Sequence, residues 1–183
     1  MTLTYSLSAD DYLTHQLYTA SRTERLRKRR QRSKILYPAI FFCLALYLLW
    51  ERGLAVAWPM FALSAGWFFL YPLWESHHYL KYYRRFVEEN FKTSFGKSVV
   101  VTFDPDYILT QTELGEAKLS YGAIEGFGEI ETLLLIKMTG GQSLVLPKNK
   151  IEESEAVVAE LKNIASRLNV PYNIELNWKW NEF

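Results

Sequence analysis

Two long uncharged stretches, residues 35–50 and 53–74, dominate the hydrophobic pattern of the chain. As helices they would be about 24 Å and about 33 Å long, close to the roughly 30 Å of a bilayer's hydrocarbon core. Only a Glu–Arg pair lies between them, and one continuous helix would be about twice as long as the core is thick. The chain must therefore turn, and Gly53 suits the end of a helix because glycine adopts left-handed backbone angles. The pattern predicts a transmembrane hairpin with helices at 35–52 and 53–75.

Three other interpretations of this apolar block compete with the hairpin. A buried core of a soluble protein is disfavoured because residues 35–74 carry only one acidic and one basic side chain. A cleaved signal peptide, suggested by the small-residue motif at 55–57, is disfavoured by the long flank before the first stretch and by the second stretch that follows it. A hairpin that enters the bilayer without crossing it stays open, because the first stretch is short.

The segments on either side of the hairpin are predicted to be helical. Ser8 precedes Asp11 by three residues, a spacing typical of a helix cap, which predicts a helix from about residue 9 into the basic segment. Residues 1–34 are accordingly interpreted as an N-terminal helix and a basic arm. Residues 76–97 carry apolar side chains three or four positions apart, so the second membrane helix is predicted to continue as a stalk.

From residue 98 onwards, short apolar runs separated by turn residues are typical of β-strands. An apolar stripe with a predicted cap at Asn149 and Glu152 indicates one helix after these runs, and the tail beyond Pro171 is predicted to add a strand. The fold class is therefore α+β: a transmembrane hairpin plus a small antiparallel β-sheet or barrel domain, residues 98–183, closed by one C-terminal helix. The six predicted strands are 98–103, 107–113, 117–121, 124–130, 132–138 and 142–147.

Charge is distributed unevenly along a chain whose net charge is only +1. Residues 22–34 hold eight cations and one acid, whereas residues 98–183 hold seven cations and thirteen acids. Cations that flank membrane helices stay in the cytoplasm and contact anionic lipid, so both termini are predicted to be cytoplasmic. A nucleic-acid partner is not expected, because the basic segment lacks interleaved aromatic residues and a recognition fold. The cations assigned to topology and lipid contact are Arg22, Arg25, Arg27, Lys28, Arg29, Arg30, Arg32, Lys34, Lys81, Arg84 and Arg85.

Candidate chemistry is sparse. Ala62 and Gly66 lie four positions apart on the second membrane helix, which indicates helix packing, either within the hairpin or between two copies of the chain. Gly126 and Gly128 lie inside a strand pattern and indicate a β-bulge rather than a phosphate-binding loop. His15 is interpreted as a helix-surface histidine. The sequence shows no catalytic, cofactor-binding or metal-ligating set, so no enzyme activity and no cofactor are predicted.

The whole arrangement resembles the YcxB-like family of bacterial membrane proteins. The resemblance rests on the opening YSLSADDYLTHQLY, the basic arm, the two apolar stretches and the segment LSYGAIEGFGEIETLLLIKMTGGQSLVLPKNKI. Tyr121 takes a place that is often Trp in that family, and Leu146-Pro147-Lys148 takes the place of its Ile-Pro-Lys. The resemblance implies a multi-pass protein of the bacterial inner membrane, with a C-terminal domain similar to pleckstrin-homology-like folds.

Some pleckstrin-homology domains bind inositol phosphates, but this chain carries Asp104 and Asp106 in the hairpin where cations would be needed. The expected function is therefore non-catalytic: a membrane-anchored domain that binds a protein partner in an accessory, regulatory or scaffold role. An immunity protein against a membrane-acting toxin, or a subunit of a transporter or membrane enzyme, is the alternative. The expected partners are the lipid bilayer and a protein, with a second copy of the chain as a further candidate.

Overall fold

The computed structural model describes residues 1–113 and 115–180, which form two compact units. Among the described residues, the β-rich unit combines Met1–His15 with the chain from Val87 to residue 180, and the helical unit is Gln16–Phe86. The helices are α1 (Ala9–Arg22), α2 (Glu24–Arg52), α3 (Leu54–Phe91) and α4 (Ser154–Leu168). The strands are β1 (Thr2–Ser6), β2 (Ser98–Phe103), β3 (Tyr107–Thr112), β4 (Gly115–Ser120), β5 (Ile124–Ile130), β6 (Leu133–Met138), β7 (Ser143–Pro147) and β8 (Tyr172–Glu175).

Helices α2 and α3 form the predicted antiparallel hairpin. Gly53 joins them with a φ of +79°, and its N–H donates to the Leu49 carbonyl at 3.1 Å. The Ser64 hydroxyl donates to the Pro38 carbonyl at 2.9 Å, and the rings of Phe42 and Phe61 lie 5.6 Å apart, so both helices contact each other along their length. The predicted turn at Gly53 is confirmed, and α3 continues beyond the apolar stretch as far as Phe91, short of the predicted residue 97.

Both helices of the hairpin are long and apolar enough to cross a membrane. Within the most apolar 18-residue window of each, only 11% of the α2 residues and 6% of the α3 residues are buried inside the protein. The core helix of a soluble protein would bury most of its apolar side chains. Here they are exposed instead, with Trp50 at 90% and Phe69 at 69%.

Helix α1 begins with the predicted cap. The Ser8 N–H and hydroxyl donate to one Asp11 carboxylate oxygen at 2.8 Å and 2.7 Å, and the Asp11 N–H approaches the Ser8 hydroxyl at 3.3 Å. The helix starts at residue 9 as predicted, but it ends at Arg22, the first residue of the basic segment, and a second helix carries the rest of that segment. Thr23 adopts extended backbone angles, φ −73° and ψ 114°, and separates α1 from α2.

The strands form two four-stranded sheets, with the orders β1-β2-β3-β4 and β7-β6-β5-β8. All six strands predicted after residue 98 are present, with ends that differ by at most two residues. The predicted α+β class with a small sheet domain is confirmed. Among the described residues the strands make two sheets, and β8 runs parallel to β5, so the domain is mixed rather than purely antiparallel. A closed barrel stays a prediction. Strand β1 was not predicted at all, and it pairs with β2 from Thr2↔Thr102 to Ser6↔Ser98.

The core of the β-rich unit is built mainly on β5, β6 and α4. Strand β6 is buried on both faces from Leu133 to Ile136, and Phe127 of β5 is fully buried. The predicted apolar stripe of α4 is buried at Val157, Leu161 and Ile164. These residues lie three or four positions apart, as one face of a helix requires.

The two ends of α4 differ in how well they were predicted. The cap at Asn149 and Glu152 is wrong, because Asn149 lies in a 3₁₀ turn, Lys148–Lys150, and α4 begins only at Ser154. The C-terminal end is confirmed. Asn169 adopts left-handed angles, φ 54° and ψ 43°, and its N–H donates to the Ser166 carbonyl at 3.3 Å.

Gly126 marks the predicted bulge in β5, where the pairing with β6 shifts register between Ile124 and Gly126. A Cβ added at Gly126 would lie 3.0 Å from the Pro171 carbonyl oxygen and 3.1 Å from its Cγ. That carbonyl accepts the Phe127 N–H at 2.8 Å, which helps to join the β8 segment to β5. The glycine therefore permits a close backbone approach as well as a bulge.

Gly126→Ala is expected to destabilise the full-length chain by about 1–3 kcal/mol, because the new methyl group would push Pro171 away from Phe127. Denaturant unfolding of the purified protein measures the change. Gly122→Ala is the matched control, because its Cβ would meet only the Ser120 hydroxyl at 3.7 Å, an ordinary contact. Equal stabilities of the two variants would contradict the close-approach explanation.

Candidate functional site

Strand β1 forms one edge of its sheet, and its polar backbone is directed outward at alternate residues. The Phe103 N–H donates to the Met1 carbonyl at 2.8 Å, so Met1 and Phe103 form a hydrogen-bonded pair. In an antiparallel ladder such pairs alternate with non-hydrogen-bonded pairs. The register of β1 with β2 therefore directs the backbone N–H and C=O groups of Thr2 and Thr4 away from β2, toward the open edge.

An acidic groove runs along this edge. Residues Met1, Thr2, Leu3 and Thr4 line one side, and Ile151, Glu152 and Glu153 line the other; we call this the edge groove. Its volume is about 480 Å³. Ile151 is buried, whereas both glutamates are exposed and neither has an ion-pair partner among the described residues. The edge groove thus combines unpaired backbone groups, a buried apolar side chain and negative charge.

An ion pair fixes the far wall of the edge groove. Lys150 donates to the Asp11 carboxylate at 2.6 Å, which ties the turn before Ile151 to the start of α1. Burial raises the pKa of Asp11, but the hydrogen bonds from Lys150 and Ser8 and the charge of Lys150 outweigh it and hold the pKa below its usual value. The ring of Tyr12 stacks on that of Phe91 at 4.7 Å and holds the same helix start.

A second polar cluster lies inside the β-rich unit. Glu129 is only 7% exposed, and its two carboxylate oxygens accept hydrogen bonds from Lys148 at 2.6 Å and from the Tyr172 hydroxyl at 3.0 Å. Burial raises the pKa of Glu129, but these bonds and the charge of Lys148 more than compensate, so the pKa lies below its usual value. The carboxylate is accordingly held ionised and fully partnered, which indicates a structural role.

Tyr121 and Lys148 both lie at positions that carry the family resemblance. Lys148 binds Glu129, and Tyr121 likewise has a structural role. Its hydroxyl donates to the Asp104 carbonyl at 2.8 Å, and the guanidinium of Arg167 lies over its ring at 5.2 Å. Tyr121 thereby links the hairpin between β2 and β3 to α4. The hydrogen bond of the Tyr121 hydroxyl and the bond of Lys148 to Glu129 explain why positions 121 and 148 carry a large hydrogen-bonding ring and a lysine.

His15 is half-buried rather than fully exposed on the helix surface. Its Nε2 atom is buried and has no hydrogen-bond partner among the described residues. Burial and the positive charge of Lys137 lower its pKa to about 4. His15 is therefore neutral near pH 7.

The predicted cations of the basic arm fall into two groups in the helical unit. Arg30 and Lys34 are half-buried, and the others are exposed. Arg30 donates through Nε to Glu75 of α3 at 3.1 Å, and the Tyr71 hydroxyl lies 3.3 Å from the other oxygen of the same carboxylate. Sequence reasoning gave Glu75 no role, although an acid within one turn of an apolar stretch is a usable signal. The exposed cations are Arg22, Arg25, Arg27, Lys28, Arg29 and Arg32 on α1 and α2, and Lys81, Arg84 and Arg85 on α3.

Ala62 and Gly66 do not mediate packing within the hairpin. Ala62 is exposed, and a Cβ added at Gly66 would meet no atom within 4 Å. Both line an open apolar groove of about 740 Å³ on the outer face of α3, which we call the small-residue groove. Its other lining residues are Trp58, Pro59, Leu63, Trp67, Leu70, Tyr71 and Trp74.

The described residues contain no group of three or more His, Cys, Asp or Glu side chains that could hold a metal ion. The cysteine, Cys43, lies exposed on the apolar surface of α2. The surface features that the described residues present are unpaired backbone groups at β1, charge at the edge groove and at the basic arm, and apolar surface on the hairpin.

These features define an α+β protein with two long apolar helices and a small two-sheet domain. Residues 103–165 match the family model described as YcxB-like protein, so the chain carries a YcxB-like domain from the end of β2 into α4. The resemblance predicted from the sequence is confirmed over these residues. No curated protein and no solved structure matches the chain. The likeness to pleckstrin-homology-like folds stays a prediction.

Proposed function

We propose that this chain is a non-catalytic protein of the bacterial inner membrane, anchored by the α2–α3 hairpin, whose cytoplasmic domain binds a partner protein. The partner would supply an extended segment that pairs with β1 and places Lys or Arg beside Glu152 and Glu153. The open edge of β1 carries this proposal, because an extended segment added to a sheet edge gains main-chain hydrogen bonds along its length.

Three observations support the membrane part of the proposal. The apolar windows of α2 and α3 are exposed rather than buried in the protein. Trp50 and Trp74, exposed by 90% and 62%, lie at opposite ends of the hairpin, where interfacial aromatic residues are enriched in membrane proteins. The cations concentrate in residues 22–34, before the apolar part of α2, and in residues 81–85, after the apolar part of α3. This distribution favours a cytoplasmic location for both flanks.

Charge complementarity supports the kind of partner. The edge groove presents two exposed carboxylates that have no ion-pair partner among the described residues. An acidic or neutral segment would leave these charges unmatched, whereas a basic segment would gain electrostatic attraction and a faster association rate. Ile151 offers a buried apolar contact at the same place, so one apolar side chain between basic residues would fit best.

The test compares proteins that co-purify with tagged full-length variants from native membranes in mild detergent. Thr4→Pro removes an N–H that faces the open edge but leaves the bonds to β2, and proline is tolerated on edge strands for that reason. Thr4→Val keeps the N–H and is the matched control. We expect Thr4→Pro to lower partner recovery about tenfold or more and Thr4→Val to leave it unchanged.

Charge reversal supplies an independent arm of the same experiment. Glu152→Lys with Glu153→Lys should also abolish recovery, whereas Glu125→Lys with Glu131→Lys, the same charge change at exposed positions outside the groove, should not. Full recovery with Thr4→Pro would contradict the edge contact. Loss of the partner only on Gly66→Leu would assign the contact to the small-residue groove, and thus favour a role as a subunit of a membrane assembly.

A further inference from the structure

A cationic pocket lies on the helical unit where the basic arm meets the apolar surface. Its walls come from the end of α1, the basic part of α2 and one turn of α3, and its volume is about 230 Å³. We call it the cationic pocket. Its lining residues are Ala20, Ser21, Arg27, Arg30, Gln31, Lys34, Pro72 and Glu75.

The three cations of the pocket share one side of α2. Arg27, Arg30 and Lys34 follow each other at intervals of three and four residues, so their side chains project from one face of the helix. Gln31 adds an amide donor on the same face. Such a set of donors around one cavity is suited to the oxygens of a phosphate group, which Arg and Lys bind by charge-assisted hydrogen bonds.

Glu75 does not cancel this positive charge. Three cations and one carboxylate leave the lining of the pocket at +2. Both oxygens of Glu75 already have partners, the Arg30 Nε at 3.1 Å and the Tyr71 hydroxyl at 3.3 Å. The Glu75 side chain is only 9% exposed, and its contact with Arg30 fixes the position of Arg30 in the wall. Arg27 is exposed, and its side chain has no ion-pair partner among the described residues.

The apolar surface around the pocket favours the phosphate of a lipid over a soluble phosphate. Directly after Lys34, Ile35 and Leu36 are exposed by 64% and 56%, and Leu73 beside Pro72 is exposed by 69%. A phosphate group in the pocket would therefore lie next to apolar surface that acyl chains can cover. The Nζ of Lys34 also lies 5.6 Å above the ring of Phe68, which holds the ammonium group at the boundary.

From this geometry we infer that the cationic pocket binds the phosphate of an anionic phospholipid headgroup, with Arg27, Arg30 and Lys34 as its charged ligands. The inference rests on the membrane anchoring proposed above. It separates three of the basic-arm cations that were assigned to topology, Arg27, Arg30 and Lys34, from neighbours such as Arg25 and Arg32 that only face solvent or a diffuse anionic surface. The site would give the hairpin a defined lipid partner rather than general electrostatic attraction.

The test measures lipid that stays bound to the purified full-length protein, by native mass spectrometry after incubation with phosphatidylglycerol or with phosphatidylcholine. Arg27→Gln with Lys34→Gln removes two charges from the pocket. Arg25→Gln with Arg32→Gln removes two charges from the same helix outside it. We expect the pocket variant to lose bound phosphatidylglycerol about tenfold or more and the control variant to keep it.

Three results would overturn the inference. Equal losses in both variants would indicate diffuse attraction, and equal retention of phosphatidylcholine by the wild type would show that anionic charge is not recognised. Displacement of the bound lipid by millimolar inorganic phosphate would assign the pocket to a soluble phosphate. Release of the chain from membranes by an alkaline wash is measured separately, because that result would contradict the anchoring itself.

Discussion

Lys148→Met is expected to destabilise the chain by about 3–5 kcal/mol, because it leaves the Glu129 carboxylate buried without its cation. Lys148 is 18% exposed and its Nζ lies 2.6 Å from Glu129, so solvent screens the pair only weakly. Methionine keeps most of the apolar stem of the lysine. The loss therefore reports the charge and not the packing. Denaturant unfolding of the full-length protein, with hydrogen exchange at β5 and β6, measures it.

The effect of Lys148→Met should depend on pH. In the wild type the pKa of Glu129 lies below its ordinary value, so the pair stabilises the fold fully above the ordinary pKa of a glutamate, and that stabilisation is lost as the pH falls through the lowered pKa. In the variant, burial dominates and raises the pKa, so protonation relieves the penalty as the pH falls. The difference in the free energy of unfolding between the two proteins should shrink between about pH 7 and pH 4.

Two companion variants isolate the pair. Lys162→Met removes a cation that lies over the Tyr172 ring at 5.5 Å but is exposed, and should cost less than about 1 kcal/mol. Glu129→Gln in the Lys148→Met background should restore much of the stability, because the buried charge is gone. A Lys148→Met protein as stable as Lys162→Met would contradict the structural role assigned to Glu129.

The sequence predicted elements well where one local pattern was long or strongly punctuated. The hairpin followed from two uncharged stretches and Gly53, and the six strands after residue 98 followed from alternation between turn residues. Strand β1 was not predicted because it has only five residues and its partner strand begins almost a hundred residues later. A single short alternation carries little information until its partner strand is known.

The candidate sites were less predictable because each is assembled from distant segments. The edge groove is formed by residues 1–4 and residues 151–153, and no spacing in the sequence indicates that these segments lie side by side. The cap at Asn149 failed for a related reason: the Asp11–Lys150 and Glu129–Lys148 pairs hold both ends of its turn, which delays the start of α4. Tertiary contacts outweigh local capping preference when they are buried and charged.

The different roles of the cations in the basic arm could not be predicted from the sequence either. Its charge pattern favoured a topology role for every cation alike, and it could not separate Arg30 from its neighbours. Only the antiparallel packing of α2 on α3 brings Arg30 to Glu75, forty-five residues away. The distinction between a general lipid contact and a built pocket therefore depends on the hairpin geometry.

Glu75→Ala is expected to destabilise the hairpin by about 3 kcal/mol or more, because it removes the carboxylate that Arg30 contacts. The two side chains are 14% and 9% exposed, so water would compensate little for the lost partner. The Tyr71 hydroxyl loses the same acceptor. Unfolding of the full-length protein in detergent, followed by loss of helical circular dichroism as a denaturing detergent is added, measures the change.

Glu24→Ala is the matched control for Glu75→Ala. It breaks the Glu24–Lys28 pair on the same basic helix, whose N–O distance is 2.6 Å but whose side chains are 68% and 63% exposed. Exposed pairs of this spacing contribute only about 0.3–0.5 kcal/mol. Replacing both Arg30 and Glu75 with apolar residues, Arg30→Met and Glu75→Leu, should recover most of the stability that Glu75→Ala loses, because no buried charge then remains. If Glu24→Ala and Glu75→Ala unfolded at the same detergent concentration, burial would not distinguish the two pairs, and Arg30 would have to be grouped with the solvated cations of the arm.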